Sequence, residues 1–371
     1  MIDGPRGAKP EELDEIGVLA GKVFNWQMRE NFPTLFCEDN LDNLRIIKTD
    51  GKVVSLIGVV VRDVIINGCR IAVGNVGSVC TYDKYRNRGF AWMIFEDMMK
   101  KLHSDGVDML LVSGYRSLYE KHGCTHVGNL KRYNLEGDLN FPETKIKLKP
   151  FNTSDLPKWS EIYRCEPVRF HRPYDDFYKL TTEALRYRKN RSLYSICEED
   201  QIFAYVVVDK DKTEISFNEY VGSRRMIFES IGLLKKEFSA DKVNISVPNH
   251  DTQLAYMLDS LGIKANYTST GGTVSILNFE ALCMKLMPLF EEIIGTNIAR
   301  KLRFREEEGT YIIGLDNDEM KINDIHDLAR LIFGKPLDKN DSTELTVKSE
   351  LNNIIKSIFP IPRPEYGLNY I

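Results

Sequence analysis

Val79-Cys80-Thr81-Tyr82-Asp83-Lys84-Tyr85-Arg86-Asn87-Arg88-Gly89-Phe90-Ala91 leaves a β-branched run, crosses a basic turn and opens an amphipathic segment. That succession predicts strand, loop and helix in order. At a helix start the first backbone N–H groups lack intrahelical partners, and the aligned peptide dipoles add partial positive charge. The chemistry this offers is anion binding. Gly89 lets the backbone come close, and Arg86 and Arg88 would add charge-assisted contacts to a pyrophosphate. A solvated basic turn is the plainer reading of the same string. Further on, Leu118-Tyr119-Glu120-Lys121-His122-Gly123-Cys124 carries a phenol on a brief helix stopped at Gly123. On its own, Tyr119 reads as a core aromatic on that helix. His122, Cys124 and His126 alternate and could share a strand face as metal donors. With only three donors and no partner motif, an ordinary strand is the better reading and no metal is expected. His171 to Tyr178 holds a His and two Asp and reads as a helix start and domain contact.

Several elements must position these residues. Pro10 to Phe24 is acidic in its first turn and apolar at Leu13, Ile16, Leu19, Ala20 and Val23, a helical spacing. Two β-branched runs meet at Asn67-Gly68 and predict a hairpin with a type I′ turn. Ala91, Ile94, Phe95, Met98, Met99 and Leu102 form a helical stripe, and Asp108 to Val112 is a short buried strand. Residues 147–156 look like a linker capping a helix that begins at Leu156. Residues 214–268 then repeat strand, helix, strand, helix and strand. Leu258 falls where Tyr119 fell, the arginine–glycine loop is gone, and Leu258 has no proton to give: this looks like a second copy with its chemistry removed. From Gly271 come a strand and helix, alternating strands with a turn at Glu308-Gly309, another helix and the Pro-punctuated, aromatic Phe359 to Ile371.

Length and composition narrow the classes. With 371 residues, two or three domains are expected. Hydrophobic residues at 43% and charged residues at 28% exclude wholesale disorder. Lys plus Arg number 50 against 54 acids, so the basic footprint of a nucleic-acid binder is missing. The apolar run Val53 to Val61 is far short of the ~20 residues that cross a bilayer. The acidic opening lacks the order of a secretory leader, and seven scattered cysteines without a CxxC pair read as reduced thiols, so a cytoplasmic location is expected. The first 42 residues hold nine acids and four bases. Of these, Glu30, Glu38 and Asp39 could attract a cationic amine or only form a solvated face.

Arg86-x-x-Gly89-x-Ala91, after a strand and before a helix, resembles the acetyl-CoA motif of the GNAT acyltransferase superfamily. Leu118 to Cys124 resembles its LYxKxGF segment, with Cys124 at the usual Phe. Two such halves, a sterol-carrier-protein-like segment and an aromatic C-terminus resemble the Eis (enhanced intracellular survival) family over the whole chain, most strongly over residues 70–130 and the last fifteen. Asp83 stands where that family usually has Pro, a change expected to leave phosphate binding untouched.

The resemblance implies an α/β fold with mixed sheets: a catalytic GNAT domain over 1–146, a degenerate GNAT-like domain over 147–270, and a sterol-carrier-protein-like α+β domain over 271–371 whose tail reaches the active site. It implies acetyl-CoA as co-substrate. Backbone groups of Val79, Cys80 and Thr81 would pair with the pantetheine arm; Asn87, Arg88, Gly89, Phe90, Ala91 and Trp92, with Arg86, would wrap the pyrophosphate; Ser113 and Gly114 would flank the thioester. Tyr119 would be the general acid. The C-terminal carboxylate on Ile371, a weak base with a free pKa of ~3.3–3.7 that burial could raise, would sit in the active site. The implied activity is N-acetyltransfer to a small cationic amine, polyamine-, aminoglycoside- or lysine-like, in a homo-oligomer such as a hexamer built from dimers or trimers. The other reading is a non-catalytic acyl-CoA or lipid-binding module; the C-terminal segment would then hold lipid, although an architectural role fits its short length better.

Overall fold

The computed structural model describes residues 1–137, 139–337 and 350–371. Asn67 and Gly68 have φ of 46° and 86°, the two left-handed conformations that a type I′ turn requires. They join β3 (Lys52–Ile66) to β4 (Cys69–Thr81), the long antiparallel pair at the centre of the first sheet. β2 (Leu44–Thr49) and β1 (Ile2–Gly7) extend the sheet on one side and β5 (Met109–Val112) on the other. β5 is parallel to β4, so a crossover must connect them. The helix Phe90–Ser104 is that crossover, and its buried Ile94, Phe95, Met98 and Leu102 are the stripe read from the sequence.

Strand alternation then divides the packing. Val76, Leu110 and Val112 join the core of the helix Phe90–Ser104. Val73, Met109 and Leu111 join the core of the C-terminal helices. The helix Leu13–Phe24 shares a third core with Leu44, Leu56, Cys80 and Ile371.

A second seven-stranded sheet runs in the order 266–268, 130–136, 242–248, 214–222, 201–211, 191–198, 147–150. It repeats the central device: strands Glu214–Gly222 and Lys242–Pro248 are parallel over only a few residues and are bridged by the helix Arg224–Glu237. Leu258, on the helix Thr252–Asp259, is fully buried in that core.

Strand pairing crosses the expected segments. Leu130–Glu136 leaves the first sheet and pairs with Lys242–Pro248 in the second. Thr273–Ile276 returns to the first sheet and pairs with β5, and Val168–Phe170 pairs with β3. Residues 147–150, read as linker, form an edge strand against Tyr194 to Cys197. Four residues, two of them lysines, give too short an alternation to register as a strand.

The last third adds a three-stranded antiparallel sheet over 302–322, turning at Glu308-Gly309 with both φ positive, and the helices Phe279–Ile294, Ile325–Phe333 and Glu350–Ile358. Lys285 of the first of these helices pairs with the buried Asp108 at 2.7 Å, tying this part to the first sheet just before β5. Among the described residues no helix is long and apolar enough to cross a membrane, and all seven cysteines are unpaired thiols.

Candidate active site

The site begins where β4 and β5 part. Their pairing ends at Val76 and Val112, while β4 continues to Thr81. Among the described residues no strand follows β4 beyond Val76 on that side, so the edge that carries Val79, Cys80 and Thr81 is open to an added partner. The β3–β4 register slips by one residue between the pairs Gly58–Gly77 and Leu56–Cys80, and Ser78 within the slip has φ 52°. This is a β-bulge, which bends the strand and re-aims the groups beside it. Ser113 closes the base of the gap, its N–H reaching the Val76 carbonyl at 3.4 Å.

Tyr119 lies on the short helix Ser117–Glu120 and is 4% exposed. Its ring packs on Phe95 at 5.9 Å between centroids, and a Cβ added to Gly114 would lie 3.6 Å from Tyr119 Cε2. Burial pushes the phenol pKa above its ordinary value; the Arg116 cation opposes this and the Cys124 and Cys80 thiols add to it. The net effect keeps the proton on Tyr119. Arg116, which the sequence did not single out, stands at the start of the same helix.

At the helix Phe90–Ser104, Gly89 is the N-cap residue with φ 78°, and no side chain caps the first turn. The first N–H groups are thus uncommitted to a side-chain cap, beside the exposed Arg86, Asn87 and Arg88. Arg86 Nη2 pairs with Asp83 Oδ1 at 2.8 Å, Arg88 Nη2 donates to the Lys84 carbonyl at 3.2 Å, and the Arg88 guanidinium lies 5.2 Å from the Tyr85 ring centroid. Asp83 therefore has a consequence: its carboxylate holds the guanidinium that a pyrophosphate would need. Both partners are exposed, so the pair is a competitor worth about 0–1 kcal/mol. Phe90 is buried and Ala91 partly so, whereas Trp92 is exposed, donates to Glu96 at 2.8 Å and lies over His122 at 4.2 Å between ring centroids.

The chain end closes the opposite face. Ile371 is 5% exposed and packs in the core of the helix Leu13–Phe24. Its terminal carbon and oxygen lie 2.7 Å from where a Cβ on Gly77 would stand, so only glycine admits the carboxylate to the bulge. Upstream, the Asn75 amide donates to the Asn369 carbonyl at 2.8 Å. Arg172 donates to Asn369 Oδ1 at 3.0 and 2.6 Å and to both Glu219 oxygens at 3.0 and 2.9 Å. Glu219 also accepts from the Leu368 N–H at 2.9 Å and the Tyr205 hydroxyl at 2.7 Å. A Cβ on Gly367 would collide with the Glu219 carboxylate. Burial raises the Glu219 pKa, but the Arg172 charge and the hydrogen bonds outweigh it and hold the carboxyl below its usual value. The Arg172 guanidinium lies 4.1 Å from the Tyr163 ring centroid and 4.8 Å from that of Phe177. The His171–Tyr178 stretch is thus a contact, made through Arg172. Its signal in the sequence was an arginine set among Phe170, Tyr174 and Phe177, without any indication of the distant partners.

Beside this junction is a cavity of ≈ 380 Å³, lined by Ser113, Gly272 and Tyr370 together with Glu219 and Tyr220 of the second sheet and Arg224 at the start of the helix that follows. Glu30, Glu38 and Asp39 are exposed and do not line it. His122 is packed between Trp92 and Phe95, with Nδ1 2.7 Å from the Leu118 carbonyl. His126 Nδ1 lies 3.0 Å from the Gly272 carbonyl. Their rings go to separate partners, and among the described residues no group of three or more His, Cys, Asp or Glu could hold a metal ion.

Solved structures share this architecture at low identity. A GCN5-related N-acetyltransferase from Anabaena variabilis superposes with TM-score 0.64 at 16% identity, covering 88% of this chain and 89% of that one. A probable N-acyltransferase from Enterococcus faecalis gives TM-score 0.70 at 13%, covering 98% and 99%. Eis1 from Mycobacterium abscessus gives 0.66 at 12%, covering 98% and 99%. These likenesses concern the fold. No curated protein matches the chain by sequence. The splayed strands and the open helix start both fall within residues 5–127, the stretch that matches the family model described as an acetyltransferase (GNAT) domain.

Proposed function

We propose that the protein is an acetyl-CoA-dependent N-acetyltransferase that transfers the acetyl group to a primary amine of a small acceptor by direct attack in a ternary complex. The observation that carries the reading is the parting of β4 from β5 beyond Val76, with Tyr119 packed on one face of the sheet and the Ile371 carboxylate against Gly77 on the other.

In this mechanism the start of the helix Phe90–Ser104, with Arg86 and Arg88, holds the pyrophosphate, and the free edge of Val79, Cys80 and Thr81 aligns the pantetheine arm. Ser113 and Gly114 flank the thioester. The acceptor ammonium passes a proton to the Ile371 carboxylate, directly or through water. The neutral amine then attacks the thioester carbon and the C–N bond forms; as the C–S bond breaks the departing thiolate takes the Tyr119 proton, and the second proton lost from nitrogen returns through water to the Tyr119 oxygen. Holding both reactants in the gap supplies much of the acceleration. A decayed site would resemble the second sheet, where the buried Leu258 has nothing to donate. The overlap with Eis1 supports reading the whole chain as Eis-like, with a sterol-carrier-protein-like last third and a homo-oligomeric assembly; a strict monomer in sedimentation would contradict the assembly.

The test is thiol release from acetyl-CoA with a panel of primary amines. Amine-dependent release with matching N-acetylated product is expected. Acetyl-CoA binding without release for any amine would instead favour a non-catalytic acyl-CoA-binding module.

A further inference from the structure

We propose that the acceptor carries a carboxylate on the same small molecule as its reacting amine, and that Arg132 and Arg169 receive it in the cavity beside β5; the inference rests on the acetyltransfer reading above. Four carboxylates line this cavity, Glu166, Glu219, Asp251 and Glu365. Such a lining at first favours a polycation. Each carboxylate, however, is already committed. Glu166 accepts from Arg224 at 2.7 and 2.6 Å. Asp251 accepts from Arg224 Nε at 2.7 Å and from the Tyr220 hydroxyl at 3.1 Å. Glu219 is held by both terminal nitrogens of Arg172, and Glu365 pairs with Arg363 at 3.0 Å.

The cations of the lining are not balanced in the same way. Arg132, on the strand Leu130–Glu136, and Arg169, on the strand Val168–Phe170, both line the cavity. Among the described residues no carboxylate pairs with either. Arg169 donates from Nη1 to the Glu166 backbone carbonyl at 2.9 Å. Glu166 and Asp251 share Arg224, so four carboxylates and three paired arginines leave one negative charge against the two guanidinium groups of Arg132 and Arg169; a diamine entering here would meet a net like charge. A carboxylate would meet rigid donor forks that match its plane. Ser113 and Tyr370, the neighbours in sequence of Gly114 and Ile371, line the same cavity. The cavity that holds both arginines thus borders the residues that adjoin Gly114 and Ile371.

The test uses the full chain loaded with CoA. Binding of ω-amino carboxylates from glycine to 6-aminohexanoate, of their amides and of the corresponding diamines is measured by calorimetry, and acetylation of the same amines from acetyl-CoA is measured in parallel. A carboxylate of the favoured length is expected to exceed its amide and its diamine at least about tenfold in affinity and in kcat/KM, the usual worth of a charge-assisted pair. The double variant Arg132→Gln/Arg169→Gln is expected to abolish that preference while acetyl-CoA affinity stays unchanged. Equal or better binding of amides or diamines, no binding of any member, or a preference that survives the double substitution would overturn the proposal. Transfer without carboxylate preference defeats this inference alone. Carboxylate-selective binding without transfer upholds the carboxylate subsite alone and defeats the acetyltransfer reading.

Discussion

Tyr119 and Asp83 act at the scale of single residues. Burial raises the Tyr119 pKa, and as general acid it must be protonated. The proton therefore stays on Tyr119 through neutral and mildly alkaline pH, and kcat is expected to show no decline from this group below about pH 9. Tyr119→Phe is expected to lower kcat by about 10²–10⁴-fold with acetyl-CoA affinity unchanged. Steady-state rates against pH, with a binding isotherm for each protein, check both. A kcat that falls between pH 8 and 9 in the native chain and not in Tyr119→Phe would mean that the phenol is ionised far too early for this role. The Asp83–Arg86 pair gives the opposite direction of change. Asp83→Asn frees the guanidinium, and acetyl-CoA is expected to bind up to about fivefold more tightly, the equivalent of ~1 kcal/mol. Calorimetry that finds weaker binding would mean that Asp83 positions Arg86 rather than competing for it.

Among elements, the tail is the informative one. Its ordered, apolar nature was legible in Phe359, Pro360, Ile361, Pro362 and Pro364, because stiff apolar sequence without a buried surface is costly. The Asn67-Gly68 hairpin and the helix Phe90–Ser104 were legible for a similar reason: a turn needing two positive φ values and a stripe of period 3.6 are written within a few residues. The anchor of the tail was not. Arg172 meets Glu219 at a sequence separation of 47 and Asn369 at 197, and no local pattern encodes such a pairing. Strand exchange escaped for the same reason, since Leu130–Glu136 and Thr273–Ile276 look alike whichever sheet receives them. Because Arg172 is fully buried, removing it alone leaves Glu219 uncompensated. Arg172→Met is expected to cost roughly 3–5 kcal/mol of stability and to release the tail. Arg172→Met/Glu219→Met should recover much of that stability without restoring turnover, because Asn369 and the Leu368 N–H still lack their partners. Denaturant unfolding and kcat separate the two effects. Full turnover in the double variant would show that the clamp holds the fold and not the carboxylate.

At the scale of the whole molecule, catalysis in this account depends on three parts of the chain meeting at one bulge. The first sheet supplies the gap, with Tyr119 packed on it; the clamp joins Arg172, just after the strand Val168–Phe170 of the first sheet, to Glu219 of the second; and Ile371 supplies the proposed base. The resemblance at Arg86, Gly89 and Tyr119 pointed to the first part from sequence. The other two depend on contacts between sheets. The most direct measurement is on a semisynthetic chain ending in Ile371 carboxamide, which keeps the side chain, the tail contacts and nearly the same shape while removing the terminal charge. Its acetyl-CoA affinity should equal that of the native chain, and its kcat with a primary amine should fall by about 10²-fold or more, the scale of a lost general base. Native turnover in the carboxamide protein would contradict the account and pass the role of base to a side-chain carboxylate.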